Sequence, residues 1–221
     1  MAALAMASTY PVSGEFTSAN YLKAAEGGFD YLEKDNLKLV NDGKENIVDD
    51  YCALAAATEL YRATKKDKYK AAADARAKSL MSRQISAGGY NHYWRADDGT
   101  RRFFHASDGG LPLVTLLYYA EIAAPATRTQ VLDVVRKSLE FELAITAEVN
   151  NPFGYSREYV QDKTGHGIQI SSSLTIVMPL RGGRERTRAW PQSRQRRTSP
   201  SASSPMTASF AANSKALLRI S

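Results

Sequence analysis

The chain reads as an all-α protein, a partial (α/α) toroid of helical hairpins followed by an irregular C-terminal tail. Three observations lead there. Helical periodicity governs most of residues 16–149; helices apolar on nearly every face alternate with amphipathic ones; and polar, motif-like loops recur after each amphipathic helix.

Residues 16–39, FTSANYLKAAEGGFDYLEKDNLKL, begin with Thr17 or Ser18 as N-cap and set Tyr21, Leu22, Ala25, Phe29 and Leu32 at helical intervals, with a disturbance expected at Gly27 and Gly28. Asn41, Asp42 and Gly43 mark a turn. In 47–64 the stretch DDYCALAAATELY is small and apolar nearly all round, the composition of a helix enclosed by neighbours, and Cys52 is assigned to its core side. Residues 67–84 are charged and amphipathic, with Tyr69, Ala72, Ala73, Ala77 and Leu80 on one side. Residues 111–124, LPLVTLLYYAEIAA, are again apolar on all faces, and 127–149 are again amphipathic, with Leu132, Val135, Leu139 and Leu143 as the stripe. Hairpins of this alternating kind build two concentric layers, inner helices wrapped by outer ones. Inner helices then point the same way, and the loops entering them, 41–51, 90–113 and 150–159, gather on one rim.

Composition narrows the function. The chain of 221 residues is 43% hydrophobic, enough for one domain with a tail. No apolar run approaches the roughly 18 residues of a membrane span. The opening MAALAMASTY has no basic leader, so it is not read as a signal peptide. One cysteine excludes an internal disulfide framework, and three histidines without ligand spacing predict no metal and no cofactor. Of 29 basic and 23 acidic residues, nine basic and one acidic lie in 171–221, leaving a nearly neutral body of 20 against 22. No specific nucleic-acid or membrane partner is therefore expected of the body.

The stretch 90–113, YNHYWRADDGTRRFFHASDGGLPL, sets Tyr93, Trp94, Phe103 and Phe104 among His92, His105, Arg95, Arg101, Arg102, Asp97, Asp98 and Asp108. Aromatic faces beside carboxylates and guanidinium groups suit a polyhydroxylated ligand, because sugar C–H faces stack on rings while hydroxyls take polar partners. The plainer reading is a loop whose aromatics anchor it to the core and whose charges are solvated. Asp49, Asp50 and Asp108 stand at helix starts, where the positive dipole end favours carboxylates, and simple capping accounts for them equally well.

Three phrases in order, ENIVDDYCALAAATELY, WRADDGTRRFFHASDGGLP and EVNNPFGYSREY, give the chain a resemblance, over about residues 16–161, to the C-terminal half of the catalytic domain of family-nine glycoside hydrolases. The likeness is closer to the bacterial cellulase-like and exo-glucosaminidase-like branch. It implies an (α/α)6 barrel, inverting cleavage of β-linked glucosyl or glucosaminyl chains, and a parent enzyme secreted or periplasmic in a bacterium. It further implies Trp94, Arg95, His105 and Tyr155 as sugar contacts, Arg157 as a hydroxyl or carboxylate partner, and Asn151 with Pro152 as the turn that aims them. Asp49, Tyr93 and Asp97 complete the expected binding set.

Inverting hydrolysis needs an acid and a base roughly 6.5–9.5 Å apart. The resemblance places the base in a DAGD-like aspartate pair, for which 1–15, read as an N-terminal extension, holds no counterpart. Asp50 and Asp108 are accordingly the substitute catalytic pair. The family's acid is due in a phrase such as WWQGENARLASLA beyond residue 170. There the chain instead reads SSSLTIVMPLRGGRERTRAW, codons for which, in a frame moved back by one base, can read FFFP, HNS and WWQGENAR followed by Leu. Residues 171–221 are thus read as a shifted-frame translation, the alternative being a basic disordered extension. Residues 16–170 are the glycosidase domain, as an enzyme or as an inactive carbohydrate-binding fragment. Apolar helix faces left without neighbours, at Leu54, Leu60, Leu113 and Leu117, predict a homodimer. Another α/α-toroid class, an epimerase or a polysaccharide lyase, is the weaker reading.

Overall fold

Asn46 starts the helix around which the rest packs. Its side chain accepts from the Val48 amide at 2.9 Å, while Asp49 Oδ2 accepts from the Asn46 amide at 2.8 Å, a reciprocal capping box. In the computed structural model the described residues are 1–10, 14–40, 43–99, 108–162 and 167–170. They all fall within the first of two units, 1–177; the tail 171–221 and the loop 100–107, which includes Arg101, Arg102, Phe103, Phe104 and His105, lie outside them, as do Asn41, Asp42 and His166.

Six helices and four short strands are described: α1 (Ala2–Ala7), α2 (Ser18–Leu39), α3 (Ile47–Thr64), α4 (Asp67–Ser82), β1 (Gln84–Ala87), β2 (Tyr90–Trp94), α5 (Leu111–Ala120), α6 (Pro125–Ala147), β3 (Tyr159–Gln161) and β4 (Ile168–Ile170). The described residues are thus mostly helical, as the periodicity predicts. Helix α3 packs against α1, α2, α4 and α5, and α5 in turn packs against α4 and α6. Ala56 and Ala57 on α3 have almost no exposed surface, and side chains this small let neighbouring helices approach closely. Prolines open α5 and α6 in their first turns, where the missing N–H would have had no intrahelical partner.

The structure corrects the sequence reading in several places. Helix α2 runs unbroken through Gly27 and Gly28. A Cβ on Gly28 would sit 3.2 Å from Met1 Cγ, so a bare backbone there lets the α1 end settle against α2. The segment read as an extension therefore contains a helix, packed on α2 and α3 with Ala5 fully buried. Cys52 is exposed rather than core, because it faces the open seam between α2 and α3. The buried residues of α6 are Val131, Val135, Ser138, Phe141 and Ile145, whereas Leu132, Leu139 and Leu143 face solvent. Two apolar stripes compete on this helix. The one that meets Tyr90, Tyr93 and Tyr159 through Phe141, at ring separations of 6.3, 5.9 and 5.1 Å, is buried. On α3 and α5 Leu54, Leu60 and Leu113 are covered, and the exposed apolar positions of α5 are instead Leu111, Val114 and Tyr118.

Two antiparallel pairs, β1–β2 and β3–β4, stand where periodicity predicts the end of a helix and loop. The first turns on Gly88 and Gly89 at φ +63° and +86°, the left-handed pair a two-residue hairpin turn demands. The phrase ISAGGYNHYW carries that signal, a Gly-Gly between alternating apolar residues.

Candidate functional site

Two of the connections that the sequence assigns to one rim, before α3 and after β2, are joined by hydrogen bonds, and the second is tied in turn to β3. The Ile47 amide, at the entrance to α3, donates to the Ala96 carbonyl at 2.9 Å, and Arg83 Nη1 donates to the same oxygen at 3.0 Å. The Ala96 amide donates to Gln161 Oε1 at 2.9 Å, while Gln161 Nε2 donates to Asp97 Oδ1 at 3.1 Å and to the Gly99 carbonyl. Gln161 on β3 thus clasps the loop after β2. Nothing in the sequence marks this residue, because a glutamine in a short strand has no motif-level signal.

Of the predicted catalytic pair, Asp50 is 1% exposed and fully engaged. Its Oδ2 accepts from Arg83 Nε at 2.5 Å and from Ser79 Oγ at 2.9 Å, and its Oδ1 accepts from Arg76 Nη1 at 3.3 Å. Arg76 also grips Glu45 through both terminal nitrogens, at 2.6 and 2.9 Å, which holds the Glu45 carboxyl below its ordinary range despite partial burial. This network fastens α3 to α4. Asp49 completes the capping box and accepts from Asn36 Nδ2 at 3.1 Å, which ties in α2. Asp108 is fully buried before α5 and accepts from Tyr51 Oη at 3.1 Å; the α5 cap itself, Gly110, makes no side-chain cap bond.

Among the predicted sugar contacts, Tyr93 and Trp94 are each 1% exposed. Trp94 Nε1 donates to Ser138 Oγ on α6 at 2.8 Å, and Tyr93 packs on Phe141, so both rings anchor the β2 end to α6. Burial raises the Tyr93 and Tyr159 hydroxyls above their ordinary range. Arg95 pairs with Asp98. Asp97 Oδ1 accepts from the Gly99 amide at 2.9 Å, an Asx turn that reverses the chain. His105 lies outside the described residues.

The loop after α6 differs. Asn151 Nδ2 donates to the Tyr155 carbonyl at 2.6 Å and Asn151 Oδ1 accepts from the Tyr155 amide at 3.2 Å. Arg157 is 7% exposed, donating to the Ile145 carbonyl at 2.9 Å and to Glu148 at 2.8 Å, so it seals the C-terminal end of α6. Tyr155 is 61% exposed, and beside it Phe153, which the sequence reading passed over, is 79% exposed.

A cavity of about 80 Å³ between α2 and α3 is lined by Phe29, Leu32, Asp49, Cys52 and Arg76. A groove of about 350 Å³ lined by Glu33, Glu45, Arg76 and Ser79 adjoins it. Only Asp49 of the predicted set lines either. Next to Asp49, desolvation within the cavity wall and then that carboxylate raise the Cys52 thiol. No group of three metal-ligating side chains occurs among the described residues, and no helix there is long and apolar enough to cross a membrane. Searches of protein-family models and of curated proteins match nothing to this chain.

Proposed function

We propose that the chain is part of a family-nine-like glycosidase domain, a partial α/α toroid whose outer-to-inner connections bind β-linked glucan or glucosamine oligomers. Inverting hydrolysis is the reaction in which that binding takes part. The observation that supports the reading is the joining of the connections before α3 and after β2 to each other, and of the second to β3, through Ile47, Ala96 and Gln161. Inner helix α3 against inner helix α5, with α4 laid on the first and α6 on the second, is the packing that two toroid hairpins require.

A second reading, binding without turnover, is favoured by the carboxylates themselves. Asp50 holds two arginines and a serine, and Asp108 is buried against Tyr51, so neither presents a free oxygen to solvent as an acid or base acting on a glycosidic bond must. On either reading the exposed Leu111, Val114 and Tyr118 of α5 support homo-oligomerisation, checked by sedimentation of Val114→Lys.

The deciding experiment incubates purified chain with β-1,4-glucan and chitosan oligomers, following released reducing sugar alongside chemical shifts. Turnover abolished by Asp108→Asn, with the α-anomer formed first, establishes the hydrolase. Shifts without turnover establish the binder. Neither shifts nor turnover refutes the saccharide reading.

A further inference from the structure

The loop between α6 and β3 spends its bonding capacity on holding two aromatic rings out in water. Phe153 and Tyr155 are 79% and 61% exposed, with ring centroids 6.0 Å apart and planes inclined by 46°. Single exposed aromatics are commonplace, and a floppy loop would let a pair fold back onto the surface. This loop is fixed. Asn151 bonds the Tyr155 backbone from both ends of its amide, the Gly154 amide donates to the Asn151 carbonyl at 3.1 Å, Gly154 takes φ +64°, and the ring of Pro152 restricts the backbone between them. Below the turn, buried Arg157 bolts the chain to Ile145 and Glu148.

The size of the patch selects its occupant. An aromatic side chain offers at most about 150–250 Å², so two partly exposed rings fall well short of the roughly 800 Å² per partner of a stable protein interface. A pyranose ring is matched to one or two aromatic faces. Its C–H face stacks on the ring, and its hydroxyls stay in water or reach exposed polar neighbours such as Ser156 and the Tyr155 hydroxyl. Because the turn is held before any ligand arrives, little ordering cost remains at binding.

We propose that Phe153 and Tyr155 form a stacking platform for one sugar unit of a β-linked oligosaccharide, a subsite outside the Trp94 stretch. The inference rests on the saccharide reading above, keeps Tyr155 from the expected binding set, and adds Phe153 beside it as the second stacking ring. It also moves the recognition away from Trp94, whose ring is enclosed by protein.

The test titrates the full chain with cello-oligosaccharide and, in parallel, with chitosan oligomer, by calorimetry and by ¹H–¹³C aromatic spectra. Both side chains are exposed, so Phe153→Ala and Tyr155→Ala should fold as wild type, which far-ultraviolet circular dichroism checks. Each is expected to weaken binding about tenfold, Phe153→Tyr is expected to retain it, and the Phe153 and Tyr155 ring resonances should move on titration. Binding of only one of the two oligomers names the sugar class that the platform accepts. If wild type binds and both alanine variants bind equally well, the platform is refuted while the saccharide reading stands. If wild type binds neither oligomer, both fail together. If the variants alter sedimentation and leave sugar affinity unchanged, the rings are a protein contact and the proposal is overturned.

Discussion

Replacing Asp50 by Asn separates the structural from the catalytic account of this residue. Asp50 receives one short bond from Arg83 Nε, one from Ser79 Oγ and a longer one from Arg76. Charged hydrogen bonds contribute about 1.5–3 kcal/mol each, and breaking one side of a buried ion pair costs about 3–5 kcal/mol. Arg76 retains Glu45, so most of the loss falls on Arg83, whose side chain is 17% exposed and is partly resolvated once released. The amide oxygen of Asn still accepts one bond. These corrections bring the expected destabilisation to about 3 kcal/mol, at the lower end of the buried-pair range. For a chain of this size that is about 6–12 °C in Tm. Urea unfolding followed by circular dichroism gives the number, and Arg83→Met in the same background should add little, since the partners act as one unit. A loss under about 1 kcal/mol would refute the account, because a buried carboxylate with these partners cannot be that dispensable. Loss of sugar release at unchanged stability would return Asp50 to a catalytic role.

Three further outcomes follow from the same geometry. Trp94→Phe should cost about 2 kcal/mol in urea unfolding, combining the lost 2.8 Å bond to Ser138 with a small cavity, and Ser138→Ala should cost less. Glu45 has a folded-state pKa depressed first by the hydrogen bonds from Arg76, so its contribution is present above the unfolded value of about 4.3 and is lost as pH falls through the lower folded value. Stability should therefore decline from about pH 4 downward, and Glu45→Gln should show a shallower acid limb in pH-dependent unfolding. Arg157→Ala should cost about 2 kcal/mol and speed amide exchange in 150–156, because the loop loses its fastening to the end of α6.

The sequence by itself determined the five long helices from α2 to α6 and the enclosed character of α3, but not the short helix α1 or the strands. Those properties are local: side-chain periodicity sets the face of a helix, and a run such as DDYCALAAATELY can only be accommodated with neighbours on most sides. The Asn46 box and the Thr17 cap are legible for the same reason, since their partners lie within three residues. Tertiary structure decided the rest. Both α6 stripes have helical spacing, and only the arrival of Tyr90, Tyr93 and Tyr159 chooses the one carrying Phe141. Asp50 reads as a helix-start acid until Arg76 and Arg83, 26 and 33 residues away, enclose it. Trp94 and Tyr155 look alike in a motif, yet one is enclosed against Ser138 while the other stands in water on a turn held by Asn151. Exposure is a property of what packs nearby, and residues distant in the chain supply it.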